Sequence, residues 1–247
     1  MTNPYQTPAT NLEASNTSST VFGQTQKRSA SAGWHWIKDA FKLFMQSPLN
    51  WILLTLIWMA IVVGLSILPL LSVILYIVGP IFTGGIMLGC GALNNNASLS
   101  IGHLFAGFKI NTSKLAGLGV IQLMGFIVII IVAALPFLLT GLASSSDIIN
   151  IFNPETLPDE SALIIIMLYF LIVLALEVPL IMGIWFSPSL IVFHDLTAWE
   201  AFKMSFRGCL ANIIPFLVFG LIFMLLAIVA MIPFGLGMII LLPMIII

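Results

Sequence analysis

The sequence predicts an all-α protein, a polytopic transmembrane helical bundle of three repeats, each an interfacial amphipathic helix followed by a transmembrane hairpin. The first observation behind this prediction is composition, because 60% of the 247 residues are hydrophobic and only 7% are charged. About a quarter of the residues in ordinary soluble domains carry a charge. So few charges cannot cover a water-exposed surface, and most of the outer surface must therefore face hydrocarbon. The spacing of the apolar runs and the placement of the basic residues give the architecture.

Six apolar runs are candidate spans, because a hydrocarbon core about 30 Å thick is crossed by about 20 helical residues. The predicted spans are residues 49–71, 73–93, 115–142, 162–192, 213–232 and 234–247. The fourth run is longer than one upright crossing needs, so we expect it to tilt, bend or break at Pro179 or Pro188. The sixth run is too short to cross, and we expect it to be an incomplete span of a truncated chain.

Ahead of the transmembrane domain at residues 33–247, residues 1–32 are rich in Ser, Thr, Asn and Gln. This segment holds no apolar stretch of the length that a signal peptide needs. It cannot bury enough apolar surface to offset the entropy lost on ordering, so the sequence predicts a disordered N-terminal tail.

All eight Lys and Arg residues precede the odd-numbered spans. They are Lys27, Arg28, Lys38, Lys42, Lys109, Lys114, Lys203 and Arg207. Because basic residues are retained on the cytoplasmic side of short loops, this distribution predicts six spans with a cytoplasmic N-terminus. The loops on the other side carry no Lys or Arg, and the acidic loop at 143–161 is predicted to lie outside.

The segments ahead of the odd-numbered spans share a register, which predicts an internal threefold repeat. In each segment a marker phenylalanine is followed six residues later by a polar residue, and the odd span then ends at a proline. The markers are Phe44, Phe108 and Phe206, the polar residues are Asn50, Lys114 and Asn212, and the prolines are Pro69, Pro136 and Pro233. The alternative is that any six-span protein needs basic amphipathic links, without a repeat.

Each of these segments is predicted to be a short amphipathic helix at the membrane interface. The first runs from Trp34 to Ser47, with polar and apolar residues on opposite stripes. The second begins after Ser100, a predicted N-cap, and the third begins with the capping-box pattern Thr197-Ala198-Trp199-Glu200. In the second span, Gly85 and Gly89 form a GxxxG motif that predicts close helix packing.

Several motifs after residue 32 carry a family resemblance. They are Gly33-Trp34-His35-Trp36-Ile37, Phe41-Lys42-Leu43-Phe44 with Pro48, Pro80-Ile81-Phe82-Thr83-Gly84-Gly85, and Trp185-Phe186-Ser187-Pro188 leading to Glu200-Ala201-Phe202-Lys203-Met204-Ser205-Phe206. The chain thus resembles uncharacterised six-span bacterial inner-membrane families, distantly similar to the membrane domain attached to some glycerophosphoryl diester phosphodiesterases. The resemblance implies a multi-pass location in the bacterial inner membrane. It supplies no substrate, and the phosphodiesterase chemistry does not carry over.

Glu177 is the one charged residue inside an apolar run, where an ionisable group costs several kcal/mol unless it is paired, hydrated or neutralised. A proton- or ion-coupled transporter would use such a carboxylate, and Pro179 nearby could expose backbone carbonyls. Alternatively, Glu177 is a protonated structural residue bonded to a neighbouring helix through Gln122, Thr55 or a backbone carbonyl. Both interpretations stay open at the level of sequence.

No catalytic, cofactor-binding or metal-binding motif is found in the sequence. His35, His103 and His194 lack the Cys or carboxylate cluster that would complete a metal site, and His194-Asp195 has no accompanying nucleophile. The absence of a basic patch argues against nucleic-acid binding. We therefore do not expect an enzyme, a cofactor or a bound metal.

Two classes of function remain. The first is a non-catalytic membrane component, a scaffold or a contributor to envelope homeostasis, whose partners are the bilayer and a membrane protein or a second copy. The second is a small transporter or lipid-handling protein that uses an intramembrane groove near Glu177. A transporter should show a polar cavity that reaches mid-membrane with Glu177 on its wall, whereas a scaffold should have a dry centre and an exposed apolar side.

Overall fold

The computed structural model describes residues 25–139 and 160–247, and all regular structure in these two ranges is helical. The helices are α1 (Ala32–Gln46), α2 (Pro48–Ser66), α3 (Pro69–Asn94), a 3₁₀ helix (Ile101–Phe108), α4 (Thr112–Leu139), α5 (Glu160–Trp185), α6 (Ser187–His194), α7 (Ala198–Ala211), α8 (Ile213–Met231) and α9 (Met238–Ile246). The first 24 residues of the predicted tail and most of the predicted acidic loop lie outside the described residues.

Among the described residues, five helical segments are long and apolar enough to cross a membrane. They are Pro48–Ser66, Leu71–Asn94, Thr112–Leu135, Ile166–His194 and Ile213–Met231. The chain is therefore a polytopic helical membrane protein. In the sixth predicted span, the helix α9 spans 9 residues, fewer than a crossing needs.

The corner between the first two spans differs from the prediction. The sequence places it at residues 69–72, whereas α2 ends at Ser66 and α3 begins at Pro69. Proline suits the first position of a helix, because its fixed φ is helical and its missing N–H would have no partner there. Pro69 therefore begins the second span and does not close the first.

The fourth predicted span breaks between α5 and α6, as its length requires. The Ser205 hydroxyl of α7 donates to the Met182 carbonyl at 2.7 Å and accepts from the Phe186 N–H at 3.0 Å. In an uninterrupted helix these two backbone groups would bond to each other, so Ser205 is inserted into the hydrogen-bond ladder. Pro188, which has no N–H to donate, follows in the first turn of α6. Pro179 lies inside α5 without interrupting it.

All three segments that the sequence predicts as short amphipathic helices are helical. Two of them, α1 and α7, are α-helices, and α7 begins with the predicted capping box, in which Thr197 and Glu200 bond each other's backbone N–H at 3.3 and 3.2 Å. The second segment is a 3₁₀ helix with Ser100 as its N-cap. The odd spans α2, α4 and α8 begin beside these three helices, and α3 and α6 end there. We call this end of the bundle, which carries the Lys and Arg residues, the basic end.

The 3₁₀ helix packs against α3 through glycines. A Cβ on Gly107 would overlap the Ile81 carbonyl, and a Cβ on Gly85 would overlap the His103 carbonyl. Gly89, the second glycine of the GxxxG motif, faces the side chains of Leu99 and His103. The predicted close packing is confirmed, and the partner of the motif is the 3₁₀ helix.

The core lies towards the basic end, where the short helices cover the spans. One cluster contains the fully buried Trp51 and Leu54 of α2, together with Ile86 of α3, Leu104 of the 3₁₀ helix and Phe44 of α1. The Trp51 indole N–H also donates to the Leu43 carbonyl at 3.1 Å, which ties the end of α1 to α2. A second cluster joins α3, α4, α6 and α7. Away from these clusters, the spans expose apolar side chains outward, as lipid contact requires.

Candidate functional site

Glu177 lies on α5, partly buried among the spans. The phenol of Tyr76 on α3 is close enough to interact electrostatically with the Glu177 carboxylate. The Tyr76 ring in turn stacks on Phe126 of α4, with 4.9 Å between ring centroids. Glu177 therefore lies near Tyr76 of α3, on a helix that packs against α4.

The structure does not join Glu177 to the hydrogen-bond partners considered from sequence. No hydrogen bond links it to Gln122 or to Thr55, both of which belong to described helices. Thr55 is buried in α2, and its hydroxyl has no hydrogen-bond partner among the described residues. Gln122 of α4 instead lines a central cavity. Sequence patterns could not place these side chains, because spans that are apolar on all sides give no signal for their rotation.

The central cavity has a volume of about 480 Å³ and lies between α3, α9 and the junction of α5 with α6. Most of its wall is apolar, including Trp58, Met87 and Ile184. Its two hydroxyl groups bond their own chain segments: Thr83 donates to Gly79 O at 3.0 Å and Ser189 donates to Phe186 O at 2.7 Å. Glu177 is not among the residues that line this cavity.

Three polar contacts at the basic end were missed by sequence reasoning, although their donors were identified as register-equivalent residues. Asn50 Nδ2 donates to Leu99 O at 2.8 Å, and Asn212 Nδ2 donates to Gln26 O at 2.9 Å. Lys114 Nζ donates to the Asp195 carbonyl at 2.6 Å. Each donor stands at the start of an odd span, and each acceptor belongs to the segment that leads into a different short helix.

The charged groups at the basic end are held by local hydrogen bonds. Lys114 Nζ also lies 2.7 Å from Asp195 Oδ1, and this hydrogen bond holds the pKa of Asp195 below its usual range. The pKa of Glu200 is lowered as well, because its carboxylate accepts hydrogen bonds from the Thr197 hydroxyl and backbone. These contacts explain structural roles for both acids, Glu200 as a helix cap and Asp195 as a clamp on Lys114.

The histidines lie near the basic end, and His103 has a structural role. Its Nδ1 accepts from the Ser100 backbone N–H at 3.0 Å and lies 3.1 Å from the Ser100 hydroxyl, which caps the 3₁₀ helix. Across residues 25–139 and 160–247, no group of three or more His, Cys, Asp or Glu residues could hold a metal ion.

Comparison with known proteins gives one informative relative. A Burkholderia thailandensis protein described as a probable inner membrane protein is 25% identical over 210 residues, which cover 81% of this chain and 74% of the relative. No protein-family model matches the chain. No solved structure matches it. With five candidate spans among its described residues, the chain is a multi-pass helical membrane protein that is similar to a protein described as a probable bacterial inner-membrane protein.

Proposed function

We propose that the chain is a non-catalytic component of the bacterial inner membrane that acts as a scaffold or contributes to envelope homeostasis. The observation that carries this proposal is the separation of its intramembrane polar groups. Glu177 lies near Tyr76, Gln122 lies on the wall of the central cavity, and Thr55 is buried within α2. A coupled transporter uses intramembrane polar groups that face one another or line a water-filled path. The mostly apolar central cavity, without Glu177 on its wall, supports a scaffold.

The outward faces of the spans supply the surface that a scaffold needs. On α8, Leu217, Leu221 and Ile228 each expose more than half of their surface. Such faces contact the acyl chains of the bilayer or the small and apolar faces of other spans. The partners we propose are therefore the bilayer and a membrane protein or a second copy of this chain, with no nucleic acid.

We further propose that the scaffold is a closed ring of three units. The units are α1–α3, the 3₁₀ helix with α4 and α5, and α7–α9. The polar residues six positions after the three marker phenylalanines support this arrangement, because each donates its hydrogen bond into the segment ahead of the next unit. Asn50 reaches from the first unit to the second, Lys114 from the second to the third, and Asn212 from the third back to the first.

Helix contacts follow the same cyclic order. The 3₁₀ helix packs on α2 and α3, α7 packs on α4 and α5, and α1 packs on α8 and α9. Each short helix therefore rests on the span hairpin of the preceding unit, and the first rests on the last. Independent amphipathic links would not need this order, so the contacts favour the repeat and a six-span architecture. The distant similarity to the membrane domain of some phosphodiesterases stays part of this proposal.

The orientation we propose places the basic end in the cytoplasm. The short helices at this end carry Lys38 and Lys42 on α1 and Lys203 and Arg207 on α7. Retention of Lys and Arg on the cytoplasmic side supports this orientation and a cytoplasmic N-terminus.

The test of the scaffold function is the Glu177→Gln variant, which keeps the size and hydrogen-bonding capacity of the side chain but removes its titration. In cells lacking the wild-type chain, we expect Glu177→Gln to restore envelope integrity as well as the wild type does. In proteoliposomes with an internal pH-sensitive dye, we expect no proton movement that depends on Glu177. A folded Glu177→Gln variant that loses complementation would reject the scaffold function in favour of coupled transport.

A second candidate, a small transporter or lipid-handling protein, is favoured by the central cavity and by the amide of Gln122 on its wall. The predicted outcome for this candidate differs at Gln122. Replacement by Leu should abolish its function while preserving folding, whereas a scaffold should tolerate the change. The test compares complementation by Gln122→Leu with complementation by Thr83→Val, which serves as a control on the same cavity wall. The comparison separates the two candidates.

A further inference from the structure

A lateral groove runs along α1 on the outside of the bundle, separate from the central cavity. It lies between α1, Leu226 of α8 and the first turns of α9, and its volume is about 530 Å³. Next to the groove, Gly33 brings the start of α1 against the backbone of α8 at Pro215 and Phe219.

The interior of the groove is apolar. Ile37 of α1 and Leu241 and Met244 of α9 line it, with 5%, 6% and 8% of their surface exposed. Phe41 and Ile240 border it and are 46% and 43% exposed. Water in such a site would lack the polar partners that ordered water needs, so the groove favours hydrocarbon.

The rim of the groove is basic. Lys38 and Lys42 line the groove on successive turns of α1. Lys38 Nζ lies 5.9 Å from the centroid of the Trp34 ring, and Lys42 Nζ lies 3.0 Å from Asp39 Oδ1, with 73% of the Lys42 side chain exposed. Lysine stems cover apolar surface while their ammonium groups stay in a polar region. One side of the groove therefore combines an apolar interior with two cations, of which Asp39 offsets one.

We propose that this groove binds one acyl chain of an anionic phospholipid, with the lipid phosphate held at the rim by Lys38 and Lys42. The apolar interior selects an acyl chain, and the two ammonium groups select a negative headgroup over a zwitterionic one. Trp34, which is 45% exposed at the same rim, has the amphipathic ring that is favoured at the headgroup level. This lipid site goes beyond the scaffold proposal and does not depend on it.

The chain itself offers a matched control on α7. Lys203 Nζ lies 5.9 Å from the Trp199 ring centroid, the same distance as in the Lys38 and Trp34 pair. Trp199 is stacked on Phe202 at 5.6 Å, and neither Lys203 nor Trp199 lines the groove. A Lys203→Gln variant therefore removes the same local cation and aromatic pair without touching the proposed site.

The experiment measures lipid retention by the purified full chain with native mass spectrometry. The probes are phosphatidylglycerol, phosphatidylcholine with the same acyl chains, and glycerol 3-phosphate as a headgroup without chains. We expect one tightly held phosphatidylglycerol per chain, weaker phosphatidylcholine binding, and no competition by glycerol 3-phosphate. The Lys38→Gln/Lys42→Gln variant should bind phosphatidylglycerol about 25-fold more weakly, since each of the two basic residues near an anionic surface contributes roughly fivefold.

Two further variants complete the test. Ile240→Trp should fill the groove and weaken the binding of both lipids, because the larger side chain blocks the acyl chain. Position 240 is exposed, so the substitution should leave the core intact. Lys203→Gln should bind phosphatidylglycerol like the wild type. The proposal is overturned if the double lysine variant retains wild-type affinity, if glycerol 3-phosphate displaces the lipid, or if Ile240→Trp has no effect. A change in oligomeric mass in the lysine variant, with lipid retention unchanged, would instead assign the groove to a protein partner.

Discussion

At the scale of single residues, Ser205 of α7 is inserted at the break in the fourth span. It is almost fully buried, with 1% of its surface exposed. Its hydroxyl satisfies both backbone groups at the break in the fourth span, and no water is at hand to replace it in an apolar setting. Ser189 lies in the first turn of α6, just after the break, and its hydroxyl donates only to the Phe186 carbonyl. The two serines therefore make a matched pair.

We expect Ser205→Ala to destabilise the protein by about 1–2 kcal/mol, because the Phe186 N–H and the Met182 carbonyl each lose a partner. The measurement is reversible unfolding in mixed micelles, with Ser189→Ala as the control. Equal stabilities of the two variants would show that the backbone groups at the break find other partners.

The contact between Lys114 and Asp195 predicts a dependence on pH. The folded-state pKa of Asp195 is lowered, so the stabilisation by its carboxylate is present above the ordinary aspartate pKa and is lost as the pH falls through the lowered value. The stability difference between wild type and Asp195→Asn should therefore vanish in strongly acidic buffer. Lys114→Met also removes the bond to the Asp195 carbonyl, so its effect should persist at acidic pH. A pH-independent difference for Asp195→Asn would contradict this account.

At the scale of elements, the short helices hold the spans together through close backbone approaches. Gly107 is the tightest of these on the 3₁₀ helix, because its Cα faces the Ile81 carbonyl of α3. Gly102, in the same helix, has its nearest neighbour, Ser100 Oγ, at the ordinary contact distance of 3.5 Å. The same substitution at the two positions therefore separates close packing from helix propensity.

We expect Gly107→Ala to lower stability by roughly 1–3 kcal/mol, since the added methyl group forces the 3₁₀ helix away from α3. Gly102→Ala should be neutral or slightly stabilising, because alanine loses less entropy on folding. Thermal unfolding in detergent compares them. Similar melting temperatures for the two variants would mean that the contact at Gly107 relaxes without loss.

The sequence was informative about elements that depend on local patterns. Long apolar runs predicted the spans, and the Thr197 and Glu200 pattern predicted the start of α7. The corner at Pro69 was misplaced because proline ends some helices and begins others, and the pattern alone does not distinguish these positions. The insertion of Ser205 into the fourth span could not be predicted, because it depends on how two distant helices meet.

The candidate site was predicted in part. The position of Glu177 within a span follows from the sequence, but its neighbour Tyr76 and the placement of Gln122 on a cavity wall do not. Rotation of α4 and α5 about their axes decides which side chains meet, and spans that are apolar on every face do not encode that rotation in a hydrophobic stripe. Likewise, the register of Asn50, Lys114 and Asn212 was visible, whereas their acceptors in other units were not.

At the scale of the whole molecule, the described residues form a bundle with one basic end and one end without Lys or Arg. The turn at Phe234 lies at the second end, and the Phe234 side chain is fully exposed. Lys109 lies at the basic end, just after the 3₁₀ helix. The two native cysteines, Cys90 and Cys209, are free and buried, so they give little background in thiol labelling.

Labelling of intact cells tests the proposed orientation. A membrane-impermeant maleimide, applied from the periplasmic side, should label Phe234→Cys but not Lys109→Cys until the inner membrane is permeabilised. The reverse pattern would place the basic end outside and would contradict the orientation.

The closed ring of three units is tested most directly by cross-linking its last contact, between the segment ahead of α1 and the end of α7. Thr25 and Gly208 line the same small cavity beside Asn212, and a side chain on Gly208 meets open space. The test uses Thr25→Cys and Gly208→Cys with Cys90 and Cys209 replaced by Ala, a short thiol-to-thiol cross-linker, and a protease site inserted after Asp147. We predict that the two fragments stay joined on a denaturing gel after cleavage. A Thr25→Cys and Phe234→Cys control, whose second cysteine lies at the opposite end of the bundle, should give no cross-link, and its fragments should separate. Separation of the fragments in the Thr25 and Gly208 pair, with folding intact, would show that the ring is open and would contradict the threefold closed arrangement.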